Sequence, residues 1–145
     1  MTSTFLRSSL AALAFSVALS AVPAQAATVN LKADLSTKNE VPPGDGAGAG
    51  SVTASFDTAS KMLSWKGTYS GLSGPPTAAH IHSGEAGKNG GVAVPLFTGA
   101  TAKSPFEGSA TLTDAQAADL LAGKLYVNIH TDAHKAGEVR GQLLK

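Results

Sequence analysis

The 145 residues include no cysteine, so the chain has no disulfide framework, no thiolate zinc site and no thiol nucleophile. Charge is scarce too, at 14% Asp, Glu, Lys and Arg. Without Arg7, which lies in the N-terminal segment considered next, ten basic residues face ten acidic ones. No basic excess is left to hold a phosphate backbone or an anionic membrane, which argues against nucleic acid as a partner. The longest apolar run, residues 10–19, is too short to span a bilayer and no second one follows it, so membrane insertion is not expected. After Met1 the only methionine is Met62. A thioether-rich Cu(I) carrier is correspondingly poorly supported.

What is present begins with an export signal. Residues 1–26 carry one charge, Arg7, then the apolar run, then Ala24-Gln25-Ala26. This pattern predicts a signal peptide cleaved after Ala26 and a periplasmic or secreted product, with residues 27–145 as a single domain. The chain's 16 glycines all lie in that domain and, with six of its seven prolines, punctuate it into short elements rather than long helices.

Strict alternation marks the strands. Val29, Leu31, Ala33 and Leu35 share one parity, and the runs 52–57 and 62–69 form a hairpin around Thr58-Ala59-Ser60-Lys61. Trp65 lies on the apolar parity, in the core or as a ligand platform. Further strands are expected at 78–82, 92–97, 106–112, 125–131 and 138–143, with Pro95 placing its strand at an edge or breaking it. One short helix is expected near 114–122. Thr113 and Gln116 form a capping box, Ala117, Leu120 and Leu121 an apolar face, and Gly123 the stop. About eight short strands and one helix, without βα alternation, predict an all-β antiparallel sandwich or small barrel.

All four histidines fall in two clusters. His80 and His82 are two apart on a strand, so both rings leave one face. His130 has the parity opposite to Leu125, Val127 and Ile129, and a turn at Asp132-Ala133 would fold His134 back toward it. Two such strands side by side would converge imidazoles on one metal ion, whereas the plainer alternative is four polar residues on solvated faces and loops. Without thiolates, copper suits an all-imidazole set, with zinc or nickel as substitutes. Asp45, Glu85, Asp132 and Glu138 stand in or beside Gly-rich turns and are expected to cap backbone N–H groups, a calcium or outer-sphere role being the alternative. The Gly-rich stretch 84–91 opens no helix, so it is not a phosphate loop. Arg140 shares the polar parity of its strand, either drawing an anion to the site or pairing with a carboxylate. No serine has the setting of a hydrolase nucleophile.

An ordered set of motifs resembles the CHRD family, the domain first described in chordin and widespread in exported bacterial proteins. The set comprises Asn39-Glu40-Val41-Pro42-Pro43, Tyr69-Ser70-Gly71-Leu72, Ala79-His80-Ile81-His82-Ser83-Gly84 and Asn89-Gly90. It continues with Leu112-Thr113, Leu120 and Gly123, then residues 125–131, His134 and residues 137–143. A looser resemblance is to copper-zinc superoxide dismutases, which are Greek-key β-sandwiches. His80 and His82 are similar to their HxH copper ligands, His130 or His134 to a late-strand ligand, and Arg140 to their anion-attracting arginine. This chain lacks their disulfide and their zinc-holding loop. The resemblance therefore implies a copper-only site on a Greek-key sandwich, with superoxide as a possible substrate. The alternatives are a periplasmic copper carrier or buffer, or a metal-free extracellular module that binds proteins or pairs as a homodimer.

Overall fold

A computed structural model describes residues 26–145, so the expected signal segment lies, apart from Ala26, outside the described residues. Eight strands and one helix follow in order: β1 Thr28–Ser36, β2 Ala49–Asp57, β3 Met62–Ser70, β4 Pro76–Ser83, β5 Val92–Thr98, β6 Phe106–Thr111, α1 Asp114–Leu121, β7 Leu125–Thr131 and β8 Val139–Gln142. All pairings are antiparallel, in the order β5-β4-β7-β8-β1-β2-β3-β6. The sheet curls until its two edges meet through Phe97 of β5 and Phe106 of β6, whose rings stand 5.1 Å apart edge to face. Tyr69 leans on both. Read around this closure the strands run 1-2-3-6-5-4-7-8, a Greek-key sandwich almost closed into a barrel.

The alternation that predicts the strands also decides what fills the interior. Leu31, Ala33 and Leu35, then Val52, Ala54 and Phe56, then Leu63 and Trp65 all point inward and are buried. Trp65 is therefore a core residue, its ring lying where a Cβ on Gly108 would stand. From the other half come Ile81, Val127, Ile129 and Val139. Pro95 does sit on the edge strand β5, opposite His80 and beside the register shift between Ala79 and His80. Asp57 closes the β2–β3 turn by accepting from the N–H groups of Ala59 and Ser60.

Helix α1 crosses from β6 to β7 and buries Ala117 and Leu120, while Leu121, expected on the same face, is largely exposed. Thr113 Oγ1 accepts from the Gln116 N–H at 3.2 Å and Gln116 Oε1 from the Thr113 N–H at 2.9 Å, the reciprocal cap foreseen from the sequence. Gly123 leaves the helix at φ +71°, which favours glycine there. Thr113→Ala is expected to destabilise the domain by about 1 kcal/mol. A thermal melt unchanged within error would show that tertiary packing alone holds the helix.

Candidate metal centre

Strand β7 has β4 on one side and β8 on the other. Its inward residues Leu125, Val127 and Ile129 belong to the core, yet the alternate residues Tyr126, Asn128 and His130 are buried as well. A second layer covers this outer face: the Gly84–Gly91 loop, the 37–43 segment and the turn after β7. Register aligns His80 with Asn128 and Arg140 in one row across the three strands, and His82 with Tyr126 and Gln142 in the next. His130 stands one row beyond Asn128.

The three rings of His80, His82 and His130 meet here, and each offers a nitrogen within 4.8 Å of the others. His82 and His130 are buried and His80 is half-exposed, so the group opens to solvent on the His80 side. Each buried ring is anchored at its far nitrogen. His130 Nδ1 lies 3.0 Å from the Lys135 carbonyl, and His82 Nδ1 lies 3.0 Å from the Gly90 carbonyl. A carbonyl only accepts, so in both rings Nδ1 carries the proton and Nε2 presents a lone pair. His130 Nε2 faces His80 Nδ1 at 3.1 Å. His82 Nε2, like Trp65 Nε1 in the core, is buried without a hydrogen-bond partner among the described residues, and of the two only His82 Nε2 has other metal-ligating nitrogens beside it.

That orphan nitrogen is the informative atom. An unsatisfied buried polar atom costs about 1–3 kcal/mol and is uncommon in native folds. A metal held at about 2.0–2.1 Å would satisfy it together with its two neighbours, since nitrogens around a tetrahedral ion stand about 3.4 Å apart. The anchoring carbonyls are the outer-sphere partners that fix a ligand's tautomer and ring plane. The donor set thus fits a first-row metal ion: His80 through Nδ1, His82 and His130 through Nε2.

Burial holds His80 and His130 below the ordinary imidazole pKa of about 6.5. For His80 the neighbouring His82 adds to burial. For His130 the Lys135 carbonyl partly offsets burial, while His80 and His82 add to it. Both rings are therefore neutral and able to ligate at neutral pH. For the metal-free protein the unfolded chain takes up protons first, so stability falls as pH drops below about 6.5 and the loss ends below the folded-state values. Melts of the metal-free protein at pH 7 and pH 5 check this: the difference between the two should shrink in His130→Ala, and an identical difference in wild type and variant would contradict it.

His134 stands outside the group. It is exposed, in a turn closed by reciprocal backbone bonds with Thr131, and its charge acts on Glu40 and Glu138 instead. The turn delivers the Lys135 carbonyl to His130, not the His134 ring. Arg140 is only 2% exposed. Its guanidinium lies 3.5 Å over the Tyr126 ring and donates to the carbonyls of Glu85 and Lys88 and to Asn89 Oδ1. It is neither open to an arriving anion nor, among the described residues, part of an ion pair. Of the turn carboxylates, Glu138 caps the Ser73 N–H as expected, Glu85 pairs with Lys124 at the surface, and Asp45 and Asp132 are exposed.

Three residues of this layer have no role in the sequence reading. Tyr126 stacks on His82 at 5.1 Å and 10°. Asn128 donates to the Glu40 carboxylate and, at 2.9 Å, to the Val139 carbonyl. Burial raises the Glu40 pKa against the opposing effects of Asn128, Arg140 and His134. The signal for two of them is in plain view: Tyr126, Asn128 and His130 share one parity, with no Lys, Glu or Asp among them.

Residues 31–143 match the family model of the CHRD domain. The chain belongs to the CHRD family. No curated protein and no solved structure matches it. This CHRD domain thus carries its histidine cluster on β4 and β7, on the face away from the core, beneath a loop layer that includes the Asn39-Glu40-Val41-Pro42-Pro43 and Asn89-Gly90 motifs.

Proposed function

We propose that this CHRD domain is an exported copper-binding protein whose metal is held by His80, His82 and His130. The observation that carries the reading is His82 Nε2, buried, tautomerically fixed as a lone-pair donor and left without a partner. A metal-free polar network would leave that atom costly and without purpose, which tells against the protein-binding alternative. An all-imidazole set favours copper, with zinc as a substitute, because the chain has no cysteine and its one methionine after Met1, Met62, stands on β3.

Copper, when bound, would supply one-electron exchange between Cu(II) and Cu(I). The chain's own part is to fix two imidazoles through backbone carbonyls, to keep them neutral by burial, and to leave the His80 side open to a small molecule. That opening supports superoxide dismutation over sealed storage. Arg140 does not contribute to it, since its donors are committed to the loop.

Metal analysis of the protein isolated from the periplasm, followed by stopped-flow decay of superoxide per bound copper, tests both levels of the proposal. Copper near one equivalent per chain is expected, with decay faster for the copper-loaded than for the zinc-loaded protein, because zinc does not change oxidation state. Copper binding without any rate above the zinc form would make the protein a carrier or buffer. Isolation free of metal, with no uptake on titration, would reject the proposal.

A further inference from the structure

We infer that Arg140 is the positioning residue of the metal site, acting on His82 through Tyr126 and the Gly84–Gly91 loop. The inference rests on the metal-binding reading above and assigns Arg140 a role other than anion attraction.

A buried guanidinium is costly unless its donors are used. Every hydrogen bond that the Arg140 side chain makes among the described residues goes to one loop: Nη2 to the Glu85 carbonyl at 3.2 Å and the Lys88 carbonyl at 2.7 Å, Nη1 to Asn89 Oδ1 at 3.1 Å. That loop has glycines at 84, 87, 90 and 91 and no regular secondary structure, so left to itself it would sample many conformations. Gln142 holds its start at the Gly84 carbonyl and Asn89 donates to the Val41 carbonyl, while Arg140 holds the 85–89 stretch that brings the Gly90 peptide between two site residues. The Gly90 N–H donates to the Tyr126 hydroxyl at 3.1 Å, and the Gly90 carbonyl accepts from His82 Nδ1 at 3.0 Å. No slack remains at that point, because a Cβ on Gly90 would lie 1.5 Å from the Ser83 carbonyl oxygen. Tyr126 completes the link, with His82 stacked on it from β4 and Arg140 lying over it from β8.

The chemical consequence concerns which nitrogen of His82 is free. With the Gly90 carbonyl in place, Nδ1–H is the favoured tautomer and Nε2 is ready for metal. If the loop loosens, Nδ1 loses its acceptor and the proton can shift to Nε2, the atom that must ligate. Outer-sphere groups of this kind commonly contribute 10–100-fold to metal affinity. His130 is anchored separately by the Lys135 carbonyl and serves as an internal control.

Arg140→Lys is the discriminating variant, since it keeps the charge but cannot reproduce the planar, multiply bonded clamp. Long-range proton–nitrogen spectra of the metal-free protein read the imidazole tautomers directly, and Cu(II) competition titrations read affinity. In the wild type, His82 and His130 should both be Nδ1–H. In Arg140→Lys, His82 should become a tautomer mixture while His130 does not change, and copper affinity should fall 10–100-fold with the β-sheet circular dichroism retained. Should that variant fail to fold, Tyr126→Phe, which keeps the ring and removes the hydroxyl that holds Gly90, should move His82 in the same direction. A folded Arg140→Lys protein with His82 wholly Nδ1–H and wild-type copper affinity would overturn the inference. So would an unfolded Arg140→Lys with an unmoved His82 in Tyr126→Phe. A wild type that takes up no copper would sink the metal reading, and the tautomer comparison would still decide whether Arg140 sets His82.

Discussion

His82→Phe should lower Cu(II) affinity by at least two orders of magnitude while leaving the metal-free domain close to wild-type stability. The two halves of this expectation come from the same ring. Phenylalanine keeps a flat ring to stack on Tyr126, as the imidazole does at 5.1 Å, but offers no nitrogen. On the stability side, the substitution removes a buried nitrogen without a partner and also a hydrogen bond to the Gly90 carbonyl. These changes oppose each other at about 1–3 kcal/mol and about 0.5–1.5 kcal/mol, with a further cost for the carbonyl left unpaired. They should nearly cancel. Competition titration and thermal melts of both proteins without metal check the pair of outcomes. Unchanged copper affinity would remove His82 from the site, and a melt lowered by more than about 10 °C would show that the ring is chiefly structural.

The largest stability effect is expected at Glu138, for which the account predicts a loss of about 2–4 kcal/mol in Glu138→Ala. Its carboxylate is buried and accepts three hydrogen bonds: from the Ser73 N–H at 2.6 Å, the Ser73 hydroxyl at 2.7 Å and the Thr131 hydroxyl at 2.6 Å. It thereby ties the loop that follows Gly71 to the end of β7, next to His130. Hydrogen bonds to a charged acceptor contribute about 1.5–3 kcal/mol each, discounted here because the freed groups can partly reach water. For a domain of this size the melt should fall by roughly 8–15 °C. Burial opposes ionisation of Glu138, but the bonds from Thr131 and Ser73 outweigh it and hold the carboxyl below its ordinary value. The group therefore stabilises the fold above the ordinary carboxyl pKa of about 4.3, and that contribution fades as pH falls through the folded value. Melts at pH 7 and pH 3 should show the wild type and Glu138→Ala converging in acid. A pH 7 shift under about 3 °C would contradict the assignment.

The strands were legible because each buries one face against a common interior, and that is what alternation records. Leu31, Val52, Leu63 and Val127 could be assigned to the core from parity alone, and Pro95 to an edge from its missing donor. The outer face of β7 was not legible in the same way. Tyr126, Asn128 and His130 are covered by segments from residues 37–43 and 84–91, and nothing in local periodicity says which loop will lie on which strand. The Gly-rich composition of residues 84–91 marks a loop that opens no helix, but not the path it takes. Its path is instead set by Arg140, Tyr126, His82 and Gln142, with Asn89 bound to the Val41 carbonyl, partners as distant as 58 positions in sequence. The HxH spacing correctly puts His80 and His82 on one face, and strand parity brings His130 to them. His134 and Arg140 illustrate the limit. What reaches His130 from the turn is the backbone carbonyl of Lys135, and backbone atoms leave no residue-type signature. Arg140 lies on the outer parity as expected, but whether that parity meets water or a loop depends on tertiary structure.

Three imidazoles, and not four, are proposed to hold one copper ion in the folded domain. Electron paramagnetic resonance of the protein titrated with Cu(II) tests it most directly. The account predicts a single axial signal that saturates at one equivalent, with nitrogen splitting that persists in His134→Ala and collapses in each of His80→Ala, His82→Ala and His130→Ala. A signal identical to aqueous copper, or one lost in His134→Ala and retained in His82→Ala, would contradict it.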